Sequence, residues 1–143
     1  MKKTLLKIIP IATLFIAISL TASAQSGNIW FFEGNGATQG VLGSVSDAPA
    51  TYNLKRDSYK PIPNDEARSL ILNHVRAGAI IRLYDSPDMS TGDDYTVITV
   101  KKFTPYLMLE NFELPYDDEY INVNPLNNRD KDLDGHLSVI VIQ

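Results

Sequence analysis

Residues Ile29 to Gly40 read IWFFEGNGATQG, and residues Ile81 to Gly92 read IRLYDSPDMSTG. Each stretch opens with isoleucine. Each places an aromatic, Phe32 or Tyr84, directly before an acid, Glu33 or Asp85, and each reaches glycine eight residues after that aromatic. The offset is 52 residues throughout. A second pair follows. NDEARSLIL carries Asp65 and Ser69 ahead of apolar residues, and LDGHLSVIV carries Asp134 and Ser138 ahead of apolar residues. Each half therefore reads as an aromatic–acid hairpin, a long excursion, then D-x-x-x-S leading into an apolar strand. Two matched windows in the same order mark an internal duplication.

The surrounding sequence is β-rich. NIWFF, AIIRLY, YTVITV, YLMLENFEL, YINVN and LSVIVI are short runs of β-branched and aromatic residues. Between them stand turn-forming clusters such as EGNGATQG, SDAPA, DSPDMSTGDD and NPLNNRDKDLDG. This spacing suggests a sandwich or barrel. One segment, NDEARSLILNHVRAG, reads equally as a helix capped by Asn64 or Asp65 and as a strand.

The duplicated pattern resembles the βγ-crystallin Greek-key family, over most of the chain from Ile29 to Ile142. The resemblance implies an all-β fold in which two Greek-key motifs pack as one βγ-crystallin-like β-sandwich. One four-stranded motif leaves a sheet face that it cannot bury alone, and two copies bury it against each other. Ser69 and Ser138 are expected to satisfy backbone groups of the folded-over first hairpin in each motif.

The resemblance also implies two calcium positions. Each joins an N/D-N/D-x-x-S/T-S stretch of one motif to the acid-bearing hairpin of the other. Carried over by position, one set comprises Asn64, Asp65 and the Glu66 backbone with Asp85. The other comprises Asp134 and the Gly135 backbone with Glu33. Carboxylates, amide oxygens and backbone carbonyls are the hard donors that calcium takes. The chain departs from the pattern. With Ser69 and Ser138 aligned, Arg68 and Leu137 stand where a hydroxyl ligand belongs, and Leu133 replaces the first N/D of the second stretch. Weak calcium binding that supports stability is the expectation.

Asp130, Asp132, Asp134, Gly135 and Ser138 also fit an EF-hand loop at positions one, three, five, six and nine. Position twelve is Val141, where a bidentate Glu is required. The following LSVIVIQ is β-branched and ends the sequence. An EF-hand is therefore not expected.

The first residues carry Lys2, Lys3 and Lys7, an apolar run from Ile8 to Leu20, and Ala22-Ser23-Ala24. This is the pattern of a bacterial secretory signal peptide, cleaved after Ala24. The apolar run of 13 residues is short beside the roughly 20 that a spanning helix needs. The expected organisation is a leader over 1–24 and one Greek-key domain over 25–143, secreted or periplasmic. The leader takes 3 of the 13 basic residues and none of the 17 acidic ones, leaving 10 against 17, or a net charge of −7. Such a charge argues against nucleic acid and anionic lipid as partners. There is no cysteine, which excludes thiol catalysis and zinc–thiolate sites.

No catalytic constellation is visible. His74 and His136 are isolated, and neither H-E-x-x-H nor G-x-S-x-G occurs. Asp93–Asp94 and Asp117–Asp118 are sequential pairs, and neighbouring strand residues face opposite ways. A non-enzymatic domain is expected. The alternative is an extracellular partner-binding or inhibitor module, with decayed calcium sites, that takes a protein or glycan. Tyr52, Tyr59, Tyr106, Tyr116 and Tyr120 could serve it, although packing at sheet edges is the favoured role for them.

Overall fold

The computed structural model describes residues 26–126 and 133–143. The first motif consists of β1 (Asn28–Phe32), β2 (Val41–Ser46), β3 (Ala50–Asn53) and β4 (Ser69–Val75). The second consists of β5 (Ile80–Tyr84), β6 (Tyr95–Val100), β7 (Thr104–Leu109) and β10 (Val139–Ile142). A further hairpin, β8 (Tyr116–Asp117) and β9 (Ile121–Leu126), is inserted between β7 and β10.

All pairings are antiparallel, and they form two sheets. The four-stranded sheet runs β2-β1-β4-β7, and the six-stranded sheet runs β3-β10-β5-β6-β9-β8. Each motif therefore lends its third strand to the sheet of the other: β3 joins β10, and β7 joins β4. Removing the β8–β9 hairpin leaves two sheets of the same order, related by exchange of the motifs. The duplication read in the sequence is thus a duplication of topology.

Alternation explains the layering. In β1, Ile29 and Phe31 are fully buried while Asn28 and Trp30 face out. In β6, Thr96, Ile98 and Val100 point inward. The core joins Ile29, Phe31, Leu70 and Leu72 of one sheet to Ile81, Leu83, Ile98, Ile121 and Ile140 of the other. Leu54, Ile62, Phe112, Leu133 and Leu137 from the connections complete it.

The ambiguous segment resolves as strand β4, with Leu70 and Leu72 inward between β1 and β7. His74 has a positive φ of 56°, a local irregularity that lets Val75 return to the core. At Gly43, also at positive φ, an added Cβ would lie 2.2 Å from the Pro61 carbonyl oxygen. The excursion leading into β4 therefore packs directly on the β2 backbone.

Candidate ion-binding site

The stretches that precede β4 and β10 lie against each other. Asp65 N donates to Leu137 O at 3.2 Å, and Gly135 N donates to Ala67 O at 3.0 Å. Arg68 N donates to Phe32 O at 2.9 Å, and Ser138 N donates to Tyr84 O at 2.8 Å. In the ladders, Phe32 stands opposite Ser69, and Tyr84 opposite Val139. Each of these observations pairs residues 70 apart. Asn64 corresponds to Asp134, Asp65 to Gly135, Ala67 to Leu137, Arg68 to Ser138 and Ser69 to Val139. Asp65 and Gly135 also share left-handed backbone, with φ of 61° and 85°.

The alignment of Asp65 with Asp134 and of Ser69 with Ser138 is thus one residue out of register. The D-x-x-x-S spacing permits either alignment, but the hydrogen-bond ladder permits one. The second stretch runs from Asp134 to Val139, and its hydroxyl position is Ser138, present after all. Leu137 matches Ala67, and both are fully buried. Leu133 precedes the stretch and is a core residue, 2% exposed. Only the first stretch lacks its hydroxyl, at Arg68.

The register also separates the two serines. Ser69 Oγ donates to Gly34 O at 2.5 Å and accepts from Ala37 N at 3.0 Å, as expected for a residue that clamps the folded-over hairpin. Ser138 does not share that position, which Val139 takes. The second hairpin is held instead by Asn53 Nδ2 donating to Pro87 O at 2.8 Å, and its Asp88 N donates to Ser86 Oγ at 3.3 Å.

The first ligand set gathers acids. Burial pushes the Asp85 pKa above the ordinary carboxylate value. The Asp93, Asp65 and Asp94 charges push the same way, against His136. Asn64 Oδ1 is buried with no hydrogen-bond partner. Unpaired buried acceptors are rare because their desolvation is uncompensated. Among the described residues, no three His, Asp or Glu side chains form a metal cluster by themselves. An ion here would also need the Asn64 amide oxygen, a hydroxyl and backbone carbonyls, as calcium accepts. With those donors, Asn64, Asp65, Glu66 and Asp85 fit a hard cation.

The second set differs. Asp134 Oδ1 is likewise buried without a hydrogen-bond partner. However, Arg68 Nη1 stands 3.6 Å from it. Burial raises the Asp134 pKa, while Arg68, the Asn35 side-chain hydrogen bond and His136 oppose the rise. Asp134 N donates to Glu113 Oε1 at 2.6 Å. A Cβ on Gly135 would lie 2.9 Å from Arg68 Nη2 and 3.2 Å from Cζ. The guanidinium therefore rests on the Gly135 backbone. Glu33 lines a cleft with Asn35, Asp65, Glu66 and Arg68. A cation already stands here, so this set does not fit a divalent ion.

Asp130 and Asp132 lie outside the described residues. The segment that would carry an EF-hand's twelfth ligand and exit helix is strand β10. Asp118 Oδ1 accepts from Tyr120 N and Ile121 N at 2.7 and 2.8 Å, and Asp117 pairs with Lys101, so these acids build a turn. Of the five tyrosines considered for partner binding, Tyr52 and Tyr120 pack on the core, but Tyr59, Tyr106 and Tyr116 are exposed, contrary to the packing favoured for them. Among the described residues, no helix is long and apolar enough to cross a membrane.

No family model and no curated protein matches the chain. Among solved structures, it is similar to a double mutant of a βγ-crystallin domain from Clostridium beijerinckii. The identity is 19%, over 82% of this chain and 96% of that one, with a TM-score of 0.37. The exchanged third strands of two Greek keys make the fold βγ-crystallin-like.

Proposed function

We propose that the chain is a secreted, non-enzymatic βγ-crystallin-like domain that binds calcium weakly, and that the ion stabilises the fold. The observation that carries this reading is the Asn64 oxygen, buried without a donor and next in sequence to Asp65, whose charge acts on Asp85. A cation there would satisfy the oxygen and relieve the repulsion among the carboxylates. The lysine-rich start and the Ala22-Ser23-Ala24 pattern support export.

Sites of extracellular modules bind calcium at about 0.1 to 1 mM. At ~10 mM calcium, binding to the native state alone then adds about 1.4 to 2.7 kcal/mol, a rise of several degrees in Tm. The experiment uses exported protein whose mass confirms a start at Gln25, melted with calcium and with chelator. An unchanged midpoint sinks the ion-binding reading.

One observation favours the partner-binding alternative, with an uncharged glycan as partner. The four strands of the smaller sheet contain no Asp, Glu, Lys or Arg. The rows Ser44–Trp30–Ile71–Met108 and Ser46–Asn28–Asn73–Tyr106 run across this sheet. Trp30, Tyr106 and Met108 are exposed. Aromatic faces and amide side chains suit sugar rings and hydroxyls. Trp30 is the only tryptophan, so its emission reports this face directly. A shift on adding neutral oligosaccharides, lost in Tyr106→Ala, is expected; an emission unmoved by any of them rules the reading out.

A further inference from the structure

We propose that Arg68 is a built-in cation that takes the place of the second ion, leaving one ion position where the duplicated fold provides two. The count of one rests on the calcium reading above; the role of Arg68 does not.

The pseudo-twofold relation between the motifs locates the substitution. Arg68 corresponds to Ser138, because Arg68 N bonds Phe32 O as Ser138 N bonds Tyr84 O. Ser138 adjoins Leu137, whose carbonyl holds Asp65 N, so the hydroxyl-bearing residue falls beside the Asn64–Asp65 pair. By the same relation Arg68 adjoins Ala67, whose carbonyl holds Gly135 N, and so falls beside Asp134 and Gly135. A hydroxyl at that position could donate an oxygen to an ion. A guanidinium has no acceptor and stays charged at any accessible pH.

The charge lies where an ion would. Arg68 Nη1 is 3.6 Å from Asp134 Oδ1, and the guanidinium packs on the Gly135 backbone. Arg68 also lines the cleft formed with Glu33, Gly34 and Asn35 of the first hairpin. The guanidinium thus joins the second stretch to the first hairpin, the two parts that an ion would bridge. With no Cβ at position 135 the guanidinium can lie against the backbone, and a Cβ there would displace it. The Asp134 side chain is 14% exposed, and an isolated carboxylate so buried is unfavourable. The arginine offsets that cost permanently, without calcium. An arriving divalent ion would meet a fixed positive charge.

The experiment compares wild type with Arg68→Ser, Arg68→Met, Asp134→Asn and the Arg68→Met/Asp134→Asn double variant. Calcium titration calorimetry reads the stoichiometry, and denaturant melts in chelator read the ion-free fold. Wild type is expected to take one calcium and Arg68→Ser two. In chelator, Arg68→Met and Asp134→Asn should each lower the midpoint, and the double variant should lose less than the two singles combined. Uncoupled losses overturn the proposal, as does a wild type that takes two ions or an Arg68→Ser that takes no more than wild type. A wild type that takes no ion, beside an Arg68→Ser that takes one, refutes the calcium reading at Asn64 and keeps the role of Arg68.

Discussion

Ser69 shows how much one buried hydroxyl can organise. It is fully buried, and its oxygen bonds Gly34 O and Ala37 N across 35 and 32 residues of chain. Ser69→Ala would strand a carbonyl and an N–H under the folded hairpin. A loss of about 1 to 3 kcal/mol is expected from urea unfolding. A loss within error would show that the hairpin is held by its other bonds, among them Gly36 N to Glu110 O at 2.9 Å. The sequence made this serine legible because the aromatic–acid hairpin and the D-x-x-x-S stretch appear together. It misled at Ser138, because two serines at one spacing look alike although only one sits opposite a strand-end aromatic. A clue was present: Leu137 is apolar like Ala67, and the position before the hydroxyl faces the core in both stretches.

At the scale of the element, the inserted β8–β9 hairpin depends on Asp118. Its carboxylate accepts Tyr120 N, Ile121 N and the Tyr116 hydroxyl, at 2.7, 2.8 and 2.9 Å. Burial works to raise its pKa, but the bonds from Ile121, Tyr116 and Tyr120, with the charge of Lys101, hold it below 3.8. A carboxylate depressed by folding stabilises the fold above its unfolded pKa, and that contribution vanishes as pH falls through the folded value. Asp118→Asn should therefore be less stable than wild type at pH 7. The gap should close as pH drops below about 3.8, the ordinary aspartate value. Denaturant midpoints at several pH values check this, and a gap of constant size would assign the loss to packing rather than charge. Most strands were readable from β-branched and aromatic runs: NIWFF and YTVITV match β1 and β6 end to end. VLGSVS and ATYN were missed. Their small and polar residues carry little strand signal, and their pairing is fixed by distant partners.

For the whole molecule, the duplication was legible and the exchange of strands was not. Side-chain spacing reports that two units exist. Which sheet receives β3 or β7 depends on contacts that no local window contains. The exchange also brings the two ion stretches together, so the Arg68–Asp134 pair, 66 residues apart in sequence, could not be read from either stretch alone.

The crossing of β3 into the larger sheet has a consequence for the order in which the chain can be built. Ala50 pairs with Ile142 and Asn53 with Val139, about ninety residues later. Synthesis runs from the N-terminus, so β3 is made long before its neighbour exists. β1, β2 and β4 can find one another early, because their ladders close among themselves. β3 must wait until β10 is present. That four-residue strand then closes two ladders at once, to β3 on one side and to β5 on the other. A chain halted before Val139 has two open sheet edges facing a missing strand, the kind of surface that recruits other chains. β10 acts as a latch, and the larger sheet closes on both sides of it only when it is in place.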